Sequence, residues 1–172
     1  MWVALPVESL FLTVGGGTPT TSVSEYWGNG IPWFSSADID DEGNIIPRRN
    51  VTPLGVENST ANIVPAGSVV VVTRVGLGKV AIINRDMCFS QDNQALIPRF
   101  PKLIDNRFLF YFIFNAMQTL KHSGRGTTIS GITKKQLTDI VMLVPPLNEQ
   151  RRIIEVINSA YVQLNEIAEN LI

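Results

Sequence analysis

Short β-branched runs, broken by Gly, Pro, Ser and Thr, occupy the first hundred residues of the chain. Among them, "SVVVVTRVGLGKVAIIN" (Ser68 to Asn84) predicts two strands joined near Gly76–Gly78, since two such runs flank a glycine-bearing turn. "QALIP" (Gln94 to Pro98) predicts another strand, closed by its proline. The rhythm then lengthens. Asp105 to Lys121 predicts a helix that is apolar on most of its faces and therefore buried, with Ser123–Gly124 marking its end. "DIVMLVPP" (Asp139 to Pro146) predicts a strand stopped by two prolines. From Asn148 onward there is neither Gly nor Pro, and the pattern predicts a helix running to the end of the chain.

That last helix carries a second pattern. Ile153, Ile157, Ala160, Leu164, Ile167 and Leu171 follow one another at spacings of 4, 3, 4, 3 and 4, an a/d heptad seam. The positions between them include Arg152, Glu155, Asn158, Gln163, Glu166 and Glu169. Ile154, Val156 and Tyr161 add apolar surface outside the seam, for which packing back on the domain is one outlet. About 25 residues at 1.5 Å each would reach roughly 37 Å, longer than a small domain needs. An exposed seam is an aggregation liability, so the helix is expected to meet a partner.

Composition adds bounds. The 172 residues suit one domain with an appended element, and 45% apolar against 17% charged residues supports a sizeable core. The single cysteine, Cys88, rules out a disulfide within the chain and a thiolate zinc site, and a reducing, cytoplasmic setting is expected. The longest apolar block, "FLFYFIFNAM" (Phe108 to Met117), is too short for a bilayer span, so no membrane role is expected. Net charge is −1, but it is unevenly spread. Residues 1–43 hold six acids and no Lys or Arg, whereas residues 44–135 hold twelve bases against four acids, a net of +8. Such a middle either offers one positive face to a polyanion or is scattered solvated charge.

Enzyme chemistry finds little footing. "GGGTPTTSVSEYWGNGIPW" (Gly15 to Trp33) opens like a phosphate loop, but Thr18–Pro19 follows the glycines and no lysine occurs before Lys79. A tight turn is the expected role of Gly15–Gly17. Within "DIDDEG", calcium-loop counting from Asp38 puts Arg49 where a bidentate glutamate is required, which excludes that site. The only histidine, His122, lacks a neighbouring carboxylate, Cys88 sits in apolar company as an inert thiol, and no nucleophile elbow occurs. No cofactor and no metal are expected. "KHSGRGTT" (Lys121 to Thr128) sets Lys121, His122 and Arg125 beside glycines and hydroxyls, a pattern suited to phosphate contact or to a helix cap followed by a strand. Tyr26, Trp27 and Trp33, among Gly28, Gly30 and Pro32, are expected to fold as a compact structural loop over the core.

Taken in order, "GGGTPT…EYWGNGIPWFSSADI", "PAGSVVVVTRVGLGKVAIIN", "MCFSQDNQALIP", "GRGTTISGITKKQLTDIVMLVPP" and "LNEQRRIIEVI" resemble the target recognition domain of type I restriction–modification specificity subunits, over almost the whole chain. The resemblance implies an α+β fold: a curved, strand-rich DNA target recognition domain with peripheral helices and a long C-terminal coiled-coil-type helix. It divides the chain into a recognition domain, residues 1–146, and a spacer or dimerisation helix, residues 147–172. It implies a non-catalytic chain that reads half of a bipartite sequence in double-stranded DNA and works with DNA-methyltransferase and motor–nuclease restriction subunits. The helix would then pair with a second recognition domain or a second copy. A full subunit of the family has two domains and two helices; one of each is present here, as in a half-length subunit or a piece of a longer one. DNA contacts are expected in the basic middle, at Arg48, Arg49, Arg74, Arg99, Lys121 and Arg125. The rival readings are a protein-interaction module docking through its helix, and an enzyme for phosphorylated substrates using Arg48, Arg49 and Arg125.

Overall fold

A computed structural model describes residues 1–123 and 131–170, without the side chains of residues 122 and 123. In chain order it comprises β1 (Val3–Pro6), a single turn α1 (Val7–Leu10), β2 (Phe11–Gly15), β3 (Trp27–Phe34), β4 (Arg49–Val51), α2 (Pro53–Glu57), β5 (Val69–Val72), β6 (Val80–Ile82), β7 (Cys88–Phe89), β8 (Asn93–Pro98), α3 (Asn106–Ser123), α4 (Lys134–Thr138), β9 (Val141–Val144) and α5 (Leu147–Glu169). The strands form three sheets, ordered β1-β9, β2-β8-β5-β6 and β4-β3-β7. The expected hairpin is β5–β6, antiparallel from Val69↔Ile82 to Val71↔Val80.

All four valines of β5 are fully buried. Successive side chains on a strand point to opposite faces, so this strand feeds two cores. Val69 and Val71 join Leu96, Leu109, Ile113 and Met117 under α3. Val70 and Val72 join Phe34, Ile39, Phe89 and Ala95 on the other face, against the three-stranded sheet. The helix α3 is buried on several faces, as its composition predicts: Leu109, Ile113 and Met117 are inaccessible, and Phe110, Phe112 and Phe114 pack at the cluster's edge.

Two expectations for the N-terminal third are corrected. Gly15–Gly17 do not form a tight turn, since the chain runs on from the end of β2 through Gly16 and Gly17 without turning. Gly15 ends β2, and the next two residues lie hard against other backbone: a Cβ on Gly16 would stand 2.3 Å from the Phe89 carbonyl oxygen, and one on Gly17 2.4 Å from Thr60. The glycines are there for close approach. The aromatic stretch is not a loop either, because Trp27 and Trp33 lie on β3 with Pro32 between them. Strands β1 and β2 escape the sequence pattern because they are short and pair with the distant β9 and β8.

The long helix α5 has 23 residues and is rooted by one side chain. Gln150 is fully buried. Its side-chain oxygen accepts from the Asp105 N–H at 2.8 Å, and its amide donates to the carbonyls of Leu103 at 2.8 Å and Pro145 at 2.9 Å. One turn on, Ile154 is buried; two turns on, Asn158 accepts from the Tyr111 hydroxyl at 2.8 Å, and Tyr161 stacks on Tyr111. Of the heptad seam, Ile153 and Ile157 are half-buried, Ala160, Leu164 and Ile167 are exposed, and Leu171 lies outside the described residues. Ile154 does pack back on the domain, whereas Val156 is 59% exposed.

Replacing Gln150 with Ala leaves three backbone groups without their partner in a buried site, each worth about 1–3 kcal/mol. Two of the three bonds are only partly buried, so the expected loss of stability in urea unfolding lies at the low end of that sum, about 3–5 kcal/mol. A loss well under 1 kcal/mol would mean that water takes over the three bonds.

Candidate nucleic-acid interface

The positive residues of the middle segment are sorted by the fold. At one end of the four-stranded sheet, the β5–β6 connection touches three other segments. Gly76 faces Ser36, and a Cβ on Gly78, which has φ +93°, would stand 2.8 Å from Lys121 Cδ at the end of α3. The returning chain bonds there too, Ile132 N–H to Thr73 O at 2.8 Å, with Gly131 against Arg74. Arg74 and Lys121 therefore share one rim, and both are exposed. Neither meets a carboxylate in an ion pair among the described residues. Arg125 and the side chain of His122 lie outside the described residues.

Arg48 is held by Asp38. That carboxylate is buried and closes a capping box: its Oδ2 accepts from the Ser35 N–H and hydroxyl, both at 2.8 Å. Its Oδ1 is left to pair with Arg48 Nε at 3.0 Å. The acid sets the direction of an otherwise exposed guanidinium and offsets part of its charge. Lys79 is spent on structure, donating to the Ile39 carbonyl at 2.5 Å.

Arg49 is held differently. Trp33 is buried and donates its indole N–H to the Gly17 carbonyl at 3.0 Å. Trp27 stands perpendicular to it, ring centroids 5.3 Å apart, and the Arg49 guanidinium lies 3.7 Å above the Trp27 ring. The result is a column of indole, indole and cation. The ring face attracts the guanidinium without neutralising it. Beside the column is a cleft of about 450 Å³, whose lining includes Trp27, Asn29, Arg48, Arg49 and Asn50.

Arg99 is not brought to this rim. It follows β8 at the far end of that strand, with Nε bonded to Phe11 O at 3.2 Å and Lys134 nearby. Six strand residues, about 20 Å at 3.3 Å each, separate it from the Thr73 end. Cys88 is fully buried, and loss of water around the thiol pushes its pKa up to about 11, which keeps it protonated and inert. Among the described residues no group of three or more His, Cys, Asp or Glu could hold a metal ion, and no helix is long and apolar enough to cross a membrane.

A family model described as the type I restriction modification DNA specificity domain matches residues 2–172. The chain belongs to this family. It is 30% identical over 164 residues to the Escherichia coli type I restriction enzyme EcoR124I/EcoR124II specificity subunit, covering 91% of this chain and 40% of that one. To the MjaIX specificity subunit of Methanocaldococcus jannaschii it is 26% identical over 160 residues, covering 91% and 37%. The crystal structure of the HsdS subunit from Thermoanaerobacter tengcongensis superposes with a TM-score of 0.78 at 24% identity, over 98% of this chain and 39% of that one. The S subunit from M. genitalium gives 0.62 at 18%, over 98% and 41%. These two likenesses establish the α+β specificity-subunit fold, and the chain spans about 40% of the length of the relatives it matches.

Within this family member, sequence reasoning singled out Arg48 and Arg49 but missed Asp38 as the orienting acid, and Asn29 and Asn50 as cleft residues. The Asn29–Gly30 pair was the available signal, because Asn-Gly marks a turn or bulge in a strand context. Trp33→Ala should cost about 3–5 kcal/mol in chemical unfolding, since it empties a buried site and orphans a carbonyl. Loss of DNA binding with unchanged thermal stability would instead make Trp33 a base-stacking residue.

Proposed function

We propose that this chain reads one half of a bipartite double-stranded DNA target, as the non-catalytic specificity component of a cytoplasmic type I restriction–modification assembly. Methyltransferase and restriction subunits would supply the chemistry. The observation that supports this reading is a set of cations without carboxylate partners, together with a long helix whose second half is exposed. Arg74 and Lys121 share the rim where β5 turns into β6, Arg49 lies over Trp27 beside its cleft, and none of the three has a carboxylate partner among the described residues. The helix α5 docks on the first half of α3, through Gln150 at Asp105 and Asn158 at Tyr111. Unpaired cations attract the phosphate backbone, while the exposed Leu164 and Ile167 leave α5 free to assemble.

Charge reversal at Arg48, Arg49 and Arg125 together should abolish binding to duplex DNA, measured by fluorescence anisotropy at two salt concentrations. For single neutralising changes, each phosphate that the variant no longer neutralises lowers the slope of log affinity against log salt by about 0.9. Unchanged binding of the triple variant at low salt would place the interface elsewhere, with Arg99 and Lys134 as the next surface to test.

The exposed half of α5 is the proposed pairing surface for a second copy or a second recognition domain. Leu164 and Ile167 are 61% and 57% exposed, so lysine at both should leave the domain folded and give monomers in sedimentation. A wild-type chain that stays monomeric at high micromolar concentration would rule out pairing of copies through this helix.

A further inference from the structure

The cleft beside the tryptophan column has the chemistry to read bases as well as backbone. Strand β3 breaks register against β4: both Trp27 and Ile31 pair with Val51, so Gly28, Asn29 and Gly30 bulge from the ribbon. Gly28 has φ +140° and open space around it, whereas Gly30 is pressed on β4, where a Cβ would stand 2.1 Å from the Val51 carbonyl oxygen. Asn29 is the only side chain in the bulge, and it is exposed. On β4, Asn50 is exposed opposite Pro32. Neither side-chain amide has a hydrogen-bond partner among the described residues, and both line the cleft with Arg48 and Arg49.

An amide offers donor and acceptor side by side in fixed geometry, and this matches the N6–H and N7 edge of adenine in the major groove. That groove is wide enough to admit a two-stranded ribbon. A guanidinium ordered in advance by an indole gives up little freedom on meeting a phosphate. We propose that the β3–β4 ribbon enters the major groove, that Asn29 and Asn50 each read an adenine, and that Arg49, oriented by Trp27, holds the ribbon to the adjacent phosphate. The proposal rests on the DNA-reading role and adds which residues set the sequence.

The test is selection of duplexes from a randomised library by the full chain, followed by sequencing and titration. The wild type should enrich a short motif with fixed adenines. Asn29→Ala and Asn50→Ala should each relax one adenine, lowering discrimination there by roughly 5- to 150-fold, with binding to unrelated DNA and the salt slope unchanged. Asn29→Asp keeps the size but leaves only acceptors, so it should move the preference at that position from adenine toward cytosine. Arg49→Ala should weaken binding to all sequences alike and lower the salt slope by about 0.9. A wild-type motif that survives in all three asparagine variants overturns this inference and leaves the DNA-reading role standing. A wild type that binds duplexes with no enriched motif removes both.

Discussion

One buried amide ties the root of α5 to the start of α3. Gln150 joins the carbonyl after β9, the carbonyl of Leu103 and the N–H of Asp105, which opens α3. These three backbone groups come from two stretches of chain, residues 103–105 and Pro145, and have no regular secondary structure to bond them. A side-chain amide suits the position because it accepts once and donates twice while staying neutral; a glutamate of the same shape would bring an unpaired charge and no donors. The course of α5 follows from that root, since the helix must leave the domain in the direction that Gln150 and the Tyr111–Asn158 bond allow.

The second constraint is the strand that serves two cores. Because Val69 and Val71 face α3 while Val70 and Val72 face the small sheet, the helix layer and the aromatic layer share one partner. The rim that gathers Arg74 and Lys121 lies where this strand turns into β6, so the positions of those cations are set by the packing of four valines. Arg48 and Arg49 are fixed by separate means. A carboxylate that also accepts two hydrogen bonds from Ser35 holds the first, and an aromatic face holds the second. Arg74 and Lys121 thus share one rim, and Arg48 and Arg49 share the cleft beside Trp27.

How much of this was legible from the sequence depended on whether the determining interaction was local. The hairpin at Ser68–Asn84, the buried helix α3 and the Gly- and Pro-free α5 declare themselves, because their patterns repeat within a few residues. The pairing of β1 with β9 does not, since Val3 and Val144 lie at opposite ends of the chain. Gly16 and Gly17 look like a turn in sequence and prove to be close-packed surfaces, a distinction that depends on Phe89 and Thr60 arriving from elsewhere. Charge counting found the basic middle segment but could not separate Arg99, at the far end of β8, from Arg74. Nor could it see that Lys79 is occupied by the Ile39 carbonyl. The family resemblance supplied the functional frame that residue chemistry alone left open between binding and catalysis.

The single strand β3 is divided along its length. Its last two residues, Trp33 and Phe34, are buried, while Gly28, Asn29 and Gly30 near its start are exposed. Variation therefore has different consequences at its two ends. A change at Asn29 alters only the surface presented to solvent, and the core's volume stays as it was. A change at Trp33 disturbs the Gly17 hydrogen bond and the column above it, and Gly30 is barred from any side chain by the Val51 carbonyl. A lineage under pressure to alter this surface has one position in the bulge that it can exchange freely, attached to a scaffold that it cannot.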